Sequence, residues 1–277
     1  MNVSVIGAGY VGLTTSSVLA NLGHQVSCVE QEKEKVDLLR KGEIPFSEPG
    51  LDEIVLKTLK NGHLTFTTDM KDAIKQSSVV FIAVGTPPDS LGSPNLCALR
   101  QAVDSLAAFI DSYKVIVIKS TVPVGTNEEV HHQLLNKGIP AELFDVVSNP
   151  EFLREGSAIE DMLHPDKIVI GARSNYASSK LKQLYRSIET TYLDTNWSEA
   201  EMIKYASNGF LATKISFMNE LAKICDAYQV NIATVASGLA TDPRIGPHFL
   251  RAGLGYGGSC LPKDIAALEH LAIQKKR

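Results

Sequence analysis

Several classes of protein are excluded by what the sequence lacks. Its 277 residues contain only four cysteines, and these lie far apart, at Cys28, Cys97, Cys225 and Cys260, so a disulfide scaffold is not expected. The longest apolar runs, Val79–Val84 and Val115–Ile118, are too short to cross a bilayer. The N-terminus has neither the basic stretch nor the cleavage site of a secretory signal. We therefore expect a soluble, cytoplasmic protein.

An excess of cationic charge is also missing. Lysine and arginine total 27 against 31 acidic residues, for a net charge of −4. Because nucleic-acid binding depends on clustered cations, we expect neither a nucleic acid nor a membrane as partner. The composition, 44% hydrophobic and 21% charged, indicates an ordinary globular core. At roughly 150 residues per domain, the length predicts one large domain or two modest ones.

Short β-branched runs alternate with amphipathic stretches through most of the chain. The expected strands are Val3–Ile6, Gln25–Glu30, Leu64–Phe66, Val79–Val84, Lys114–Ile118, Phe144–Val147 and Lys167–Ile170. Continuous apolar strands separated by helices are typical of parallel βαβ units. The fold class predicted for this part is α/β, a doubly wound Rossmann-type parallel sheet.

The pattern changes after Asn196. The expected features are a long helix, a second helix, a loop rich in glycine and proline, and a final helix that begins near Pro262; the first three are Trp197–Tyr228, Asn231–Ala240 and Asp242–Gly258. We therefore expect an α/β domain over residues 1–196 and an all-helical segment over residues 197–277.

Three glycines follow the first expected strand. Gly7, Gly9 and Gly12 lie between that strand and the expected helix Tyr10–Leu22. In a dinucleotide-binding turn the first glycine makes the turn, the second lets the backbone approach a pyrophosphate, and the third allows close packing of helix on strand. The alternative is a glycine-rich turn that binds no ligand.

An acidic residue ends the second expected strand. Glu30 stands where a carboxylate would accept the hydroxyls of an adenosine ribose. Since a carboxylate would repel a 2′-phosphate, NAD is favoured over NADP as cofactor. Two further loops, 84–88 and 120–126, follow the fourth and fifth strands and offer hydroxyls and amides for a nicotinamide and its ribose. Each loop by itself is also consistent with a purely structural turn.

The setting of Cys260 differs from that of the other cysteines. Glycines precede it, a helix is expected to begin near Pro262, and Lys263 is close by. A helix N-terminus favours a thiolate and supplies amides towards an oxyanion. Cys28 and Cys225 are expected to be small buried side chains. Cys97 is expected to begin a helix, but without the glycines that precede Cys260.

Further candidates lie on the long helix and on the turn after the sixth strand. Lys204 and Asn208 are one helical turn apart and share a face, so together they suit a developing oxyanion; a solvated surface pair is the alternative. The turn offers Glu151 and Glu155 as bases or water-positioning groups. Arg154 is a candidate ion-pair partner for either of them.

With these motifs the chain resembles the UDP-glucose/GDP-mannose dehydrogenase family. The resemblance rests on GAGYVG (7–12), EPGL (48–51), VGTP (84–87), STVPVGT (120–126), NPEFLREG (149–156), K-x-x-x-N (204–208) and RIGPHFLRAGLGYGGSCLPKD (244–264). Members that act on a UDP-N-acetylhexosamine typically carry histidine at the position of Ser259, which argues against that branch. GDP-mannose remains an alternative to UDP-glucose as substrate.

The resemblance implies a four-electron oxidation of the C6 alcohol of UDP-glucose to a carboxylate, with two NAD per sugar. The catalytic residues implied are Cys260 as nucleophile, Lys204 and Asn208 as oxyanion stabilisers, Asp264 as holder of the polar network, Glu151 as activator of water and Thr121 at the nicotinamide. The cofactor contacts implied are Gly7, Gly9, Tyr10, Val11, Gly12, Glu30, Lys35, Gly85, Thr86, Thr121 and Glu155. The substrate contacts implied are Glu151, Phe152, Leu153, Lys204, Asn208, Arg244 (from a neighbouring subunit), Phe249, Arg251 and Gly257. No metal is expected.

The chain departs from the family pattern in two ways. The family usually has aspartate where Glu30 stands, and its members continue beyond the GGSCLPKD motif into a C-terminal UDP-binding domain, which we expect to be absent from this chain. A truncated NAD-binding or dimerising module, inactive alone, is therefore an alternative. A single-step hydroxyacid-type dehydrogenase is another, although it has no use for Cys260.

The resemblance also implies a homodimer formed through the long helix. The side chains that could supply its apolar face are Trp197, Met202, Ile203, Phe210, Phe217, Met218 and Leu221. Packing within one subunit is the alternative.

Overall fold

The computed structural model describes residues 1–89 and 92–276, which form eight strands and eleven α-helices. The strands are β1 (Asn2–Ile6), β2 (Gln25–Val29), β3 (Leu64–Thr67), β4 (Val79–Ile82), β5 (Lys114–Ile118), β6 (Phe144–Ser148), β7 (Lys167–Ala172) and β8 (Thr191–Thr195). The helices are α1 (Tyr10–Asn21), α2 (Lys33–Arg40), α3 (Leu51–Lys60), α4 (Met70–Gln76), α5 (Cys97–Ala107), α6 (Thr126–Asn136), α7 (Ala158–Leu163), α8 (Asn175–Leu184), α9 (Trp197–Ala227), α10 (Ile232–Ala240) and α11 (Leu261–Gln274).

The strands form one sheet in the order β3-β2-β1-β4-β5-β6-β7-β8. The strands from β1 to β6 are all parallel, and their order is that of a doubly wound dinucleotide-binding sheet. β7 runs antiparallel to β6, and the ladder between them has two residue pairs, Val147 with Ala172 and Ser148 with Gly171. β8 runs parallel to β7.

The core lies on both faces of this sheet. Alternate residues of a strand point to opposite faces, so Phe81 packs in one buried cluster with α1, α3, α7 and α8, while its neighbours Val80 and Ile82 pack in the other with α5 and α6. Every residue of β4 and β5 is buried. Helices on both faces explain why Val79–Ile82 and Val115–Ile118 are continuously apolar rather than alternating.

The structure confirms the predicted α/β doubly wound sheet. All seven expected strands are present, with ends within two residues of those expected. Two features were not predicted. The edge strand β8 has exposed and half-buried residues, so it carries no apolar run, and the reversal at β7 depends on pairing rather than on the composition of the strand.

Two compact units divide the chain. The first comprises Met1–Thr86 and Asn95–Met202; the second comprises the described residues of Pro87–Pro94 and Ile203–Arg277. The sheet belongs to the first unit, and α10, α11 and most of α9 belong to the second. The division therefore lies inside α9, between Met202 and Ile203, whereas the boundary expected from the sequence lies between residues 196 and 197. None of the described helices combines the length and the apolar character that crossing a membrane requires.

Candidate active site

The turn between β1 and α1 has the shape that a dinucleotide needs. Gly7 has a φ of 99°, and a Cβ there would lie 2.8 Å from the Ala83 carbonyl oxygen; a Cβ at Gly12 would lie 1.9 Å from the Gly7 carbonyl oxygen. By contrast, a Cβ at Gly9 would have no atom within 4 Å. The fold therefore requires glycine at two of these positions, whereas the third leaves room in front of the first turn of α1.

This open side of the turn suits a negatively charged ligand. Gly9 caps α1 without a side-chain hydrogen bond, and the first turn contains no acidic residue. Backbone amides at a helix N-terminus carry partial positive charge and bind phosphate. The chain's own residues thus fit the pyrophosphate of a dinucleotide.

Glu30 lies directly beside this turn. Its carboxylate accepts hydrogen bonds from the Gln31 amide at 2.7 Å, the Lys35 ammonium at 2.9 Å and the Ala8 amide at 3.3 Å. Burial raises the pKa of Glu30, but the hydrogen bonds from Lys35 and Gln31 outweigh burial and hold the pKa below its ordinary value. An ionised carboxylate therefore stands at the end of β2, and the ammonium of Lys35 is bound to it.

Two loops follow β4 and β5 at the same edge of the sheet. The Thr86 hydroxyl donates to the Thr121 carbonyl oxygen at 2.8 Å, and the Ser120 hydroxyl donates to the Val84 carbonyl oxygen at 2.7 Å. A Cβ at Gly85 would have no atom within 4 Å. The structure thus brings together the expected nicotinamide-side residues, and it ties the two loops to each other.

The loop 149–156 follows β6 at this same edge. Glu151 is buried, and its carboxylate accepts the Leu153 amide at 2.7 Å. The Phe152 ring lies under the Lys167 ammonium, 4.7 Å from the ring centroid. Glu155 is exposed. The two candidate acids therefore have different surroundings within one short loop.

Arg154 does not pair with either of these acids. Its guanidinium binds both carboxylate oxygens of Asp161 in α7, with a shortest distance of 2.5 Å, and its backbone amide donates to the same carboxylate at 2.8 Å. The predicted pairing of Arg154 with Glu151 or Glu155 is therefore wrong, because the following helix places a carboxylate closer to it.

The second unit holds Cys260 and the polar residues Lys204, Asn208 and Asp264. Lys204, Asn208 and Asp264 are all buried, so the alternative of a solvated Lys204–Asn208 pair is wrong. The Asn208 amide donates to Asp264 at 2.6 Å, and the Lys263 ammonium donates to the other carboxylate oxygen at 2.5 Å. A carboxylate held between an amide and an ammonium is fixed in both position and charge.

Cys260 caps the N-terminus of α11, one turn before Asp264. Its carbonyl oxygen accepts the Asp264 amide at 2.9 Å, and its thiol lies 3.6 Å from the Ser259 hydroxyl. The thiol is half-buried, whereas Cys28 and Cys225 are buried and Cys97 begins α5. The helix N-terminus expected at Cys260 is therefore present.

The other substrate candidates lie on the loop before Cys260. The Arg244 side chain is 87% exposed and binds Asp242. Phe249 is half-buried with a φ of 62°, and both Arg251 and Gly257 are exposed. These four residues are exposed or half-buried, whereas Asp264 is buried. No group of three or more metal-ligating side chains that could hold an ion was found in the part of the chain described.

Sequence reasoning assigned no role to two buried carboxylates that the structure places beside these loops. Glu48 binds groups in α1 and in the loop 149–158, and Glu201 binds amides at the start of α6. Glu48 lies within the quoted EPGL segment, which was the one available signal. Their partners are far away in the sequence, so no local pattern links them.

The chain is similar to known proteins over its whole length. Residues 1–189 match the UDP-glucose/GDP-mannose dehydrogenase family, NAD binding domain, and residues 198–276 match the central domain of the same family. The Bacillus subtilis protein YtcA is 50% identical over 277 residues, covering 99% of this chain and 64% of its own length. The UDP-glucose 6-dehydrogenase YwqF of Bacillus subtilis is 46% identical over 272 residues, covering 98% of this chain and 62% of its own.

Solved structures give the same result. A UDP-glucose dehydrogenase from Pyrobaculum islandicum superposes with a TM-score of 0.95 at 40% identity, covering 99% of this chain and 64% of that one. A GDP-mannose dehydrogenase from Pseudomonas aeruginosa superposes with a TM-score of 0.86 at 34% identity, covering 100% of this chain and 65% of that one. The chain thus spans less than two thirds of the length of these relatives.

Proposed function

Because the chain belongs to the UDP-glucose/GDP-mannose dehydrogenase family, whose N-terminal domain binds NAD, we propose that it carries out the NAD-dependent oxidation of UDP-glucose to UDP-glucuronate. The observation that carries this proposal is the setting of Cys260, a half-buried thiol at a helix N-terminus, one turn from a buried Asp264 that binds Asn208. A dehydrogenase that stopped at a ketone or an aldehyde would need no nucleophile of this kind.

The reaction removes four electrons in two steps. NAD, when bound, takes up the hydride in each step. After the first oxidation the thiol of Cys260 adds to the aldehyde carbon, its proton passing to the carbonyl oxygen, and a thiohemiacetal forms. The second oxidation leaves a thioester, which water cleaves to the carboxylate and the free thiol.

The chain's own residues support each step. Lys204 and Asn208 stabilise the oxygen that gains negative charge, since a cation and an amide donor are held on one face of α9. Asp264 holds that amide in place. Glu151 activates the water that cleaves the thioester, while Thr121 and Glu155 serve the nicotinamide end of the cofactor.

Recognition of the nucleotide sugar is assigned to the remaining candidates. Phe152 and Leu153, on the loop after β6, contact the sugar. Arg251, Phe249 and Gly257 contact the nucleotide phosphates and the groups next to them. Arg244 serves the site of a neighbouring subunit. UDP-glucose is preferred to GDP-mannose because a relative named UDP-glucose 6-dehydrogenase is 46% identical, against 34% for the GDP-mannose dehydrogenase.

The experiment that tests this function counts NADH. We expect two NADH per UDP-glucose from the wild-type chain, no comparable rate with GDP-mannose, and in Cys260→Ser a fall in the rate of acid formation on the order of 10³-fold or more. Two NADH per sugar at an undiminished rate from Cys260→Ser would contradict the thiol mechanism. NAD binding without any NADH production would favour the cofactor-binding module.

A homodimer formed through α9 is part of the proposal. Phe210, Phe217 and Ile224 lie one heptad apart on this helix, and they are 66%, 59% and 56% exposed. Apolar side chains at a spacing of seven residues form a continuous stripe along a helix. Of the face expected from the sequence, Trp197 and Met218 are instead buried in the chain itself.

A further inference from the structure

One buried carboxylate connects the cofactor turn with the loop of candidate acids. Glu48 lies between α2 and α3 and is 4% exposed. Its carboxylate accepts the Tyr10 hydroxyl through a short hydrogen bond, the Gly156 amide at 2.8 Å and the Ala158 amide at 2.7 Å. The roles proposed above for NAD and sugar binding leave this residue unused.

The partners of Glu48 lie at two functionally distinct places. Tyr10 is the first residue of α1, immediately after the turn that fits a pyrophosphate. Gly156 ends the loop that carries Glu151 and Glu155, and Ala158 begins α7. One carboxylate therefore joins the cofactor side of the first unit to the acid side.

The loop that Glu48 binds is also bonded within itself. Arg154 is held by Asp161 of α7, its carbonyl oxygen accepts the Ser157 amide at 3.0 Å, and Glu151 accepts the Leu153 amide. These bonds connect the loop to itself and to α7. Glu48 connects the loop to α1, and a long hydrogen bond of 3.5 Å from the Tyr10 hydroxyl to the Arg154 carbonyl oxygen adds to that connection. A displacement at Glu48 would therefore shift the loop as one piece.

We propose that Glu48 is a positioning residue that fastens the loop 149–158 to the first turn of α1, so that dinucleotide binding and the placement of Glu151 and Glu155 depend on one hydrogen-bonded anchor. The coupling to the dinucleotide rests on the proposed function; the anchoring itself does not. Three charge-assisted hydrogen bonds to a buried carboxylate are strong enough for this role.

Replacing Glu48 should change the affinity for NAD in opposite directions, depending on whether Glu48 acts as an anchor or only as a buried negative charge. A negative charge at this end of α1 repels the phosphates of NAD, so neutralising it would by itself strengthen binding. Loss of the anchor instead releases Glu155 and the loop from α1 and weakens binding. The two explanations therefore predict opposite changes in the dissociation constant.

The test uses Glu48→Gln, which keeps the shape but replaces one acceptor oxygen with an NH₂ group that faces a donor. Glu43→Gln, an exposed position in the same connecting segment, is the matched control. Calorimetry measures the Kd for NAD, and amide hydrogen exchange follows Gly156 and Ala158. We expect Glu48→Gln to bind NAD about tenfold more weakly and to exchange these amides about tenfold faster, with the control like wild type.

Tyr10→Phe completes the test and serves if Glu48→Gln does not fold. Alone it should weaken NAD binding less than Glu48→Gln. In the Glu48→Gln background it should weaken binding less than it does in wild type, since the hydroxyl acts mainly through the carboxylate. Tighter or unchanged NAD binding in Glu48→Gln, or unchanged exchange at Gly156 and Ala158, would overturn the proposal. If wild type does not bind NAD, the proposed function fails. The amide exchange rates of Gly156 and Ala158 then decide by themselves whether Glu48 anchors the loop.

Discussion

Single ionisable groups in this protein take their charge from their immediate neighbours. Glu30 is held ionised by Lys35 and by the amide of Gln31, whereas His131 is held neutral among aromatic rings. We expect the first group to affect the choice of cofactor and the second to affect stability. Each leads to a measurable expectation.

Glu30 should decide the preference for NAD over NADP. Its ionised carboxylate would lie against the 2′-phosphate of NADP, and the two negative charges repel each other. In Glu30→Ala the ratio of the dissociation constants, NADP over NAD, should fall by about tenfold or more. Calorimetric titration with both cofactors measures the ratio; a wild-type chain that binds NADP more tightly than NAD would contradict this assignment.

His131 should make the folded chain sensitive to mild acid. Its ring lies 5.2 Å from Phe144 and 5.5 Å from Trp197 between centroids, and no described residue is bonded to its buried Nδ1. Burial lowers the pKa of His131, and the charges of Arg173 and His132 lower it further.

The pKa of the folded state therefore lies below the ordinary value of 6.5. The unfolded chain binds the proton more readily, so this group's contribution to stability is complete above that value and is lost as the pH falls below it. In His131→Phe, the drop in Tm between about pH 7.5 and about pH 5.5 should be smaller than in wild type. An equal drop in both proteins would show that other groups cause the acid sensitivity.

At the scale of elements, α6 depends on a side chain from another helix. Gly125 precedes α6 with a φ of 99° and has no side chain to cap it. Glu201 of α9 supplies the cap, accepting the Gly125 amide at 2.6 Å and the Asn127 amide at 2.8 Å. The loop with Thr121 leads directly into this helix.

Removal of that cap should therefore be costly. Glu201→Ala leaves the buried backbone and side-chain amides of Asn127 and the half-buried amide of Gly125 without this partner. We expect a loss of about 2–4 kcal/mol in the free energy of unfolding. Urea denaturation gives the value. Glu220→Ala, an exposed position on the same helix, should change stability by less than about 0.5 kcal/mol; a similar loss in both variants would contradict the capping role.

The elements that could be predicted from sequence are those defined by local patterns. β5 was predicted because Val115–Ile118 is a continuously apolar run, and the structure shows every residue of the strand buried. β8 was missed because it lies at the sheet edge and none of its residues is fully buried, so it has no apolar run. The site behaves in the same way: Gly7 and Cys260 stand in local motifs, whereas Glu48 acts through amides more than 100 residues away.

At the scale of the whole molecule, the row of exposed side chains Phe210, Phe217 and Ile224 on α9 is the surface through which we expect a homodimer to form. Phe217 lies at the middle of the row and is 59% exposed. In Phe217→Asp a charge would be buried in the dimer interface, which is strongly unfavourable. We expect light scattering at micromolar concentration to give the dimer mass for wild type and the monomer mass for Phe217→Asp.

Tyr176→Asp is the matched control for that experiment. Tyr176 is also 59% exposed but lies on α8, so its replacement should leave the dimer mass unchanged. A wild-type chain that is monomeric under these conditions would remove both the dimer and the role of Arg244 in a neighbouring subunit.

The glycine turn has a consequence for how sequences of this kind diverge. A methyl group at Gly12 would collide with the Gly7 carbonyl oxygen, while a methyl group at Gly9 would meet nothing in the folded chain. Mutations at Gly12 are thus removed by the requirement to fold, and those at Gly9 only by the requirement to hold a dinucleotide. In relatives that no longer bind the cofactor, we expect other small residues at the position of Gly9 but still glycine at the position of Gly12. The residues at these two positions would therefore distinguish relatives that have lost cofactor binding from those that retain it.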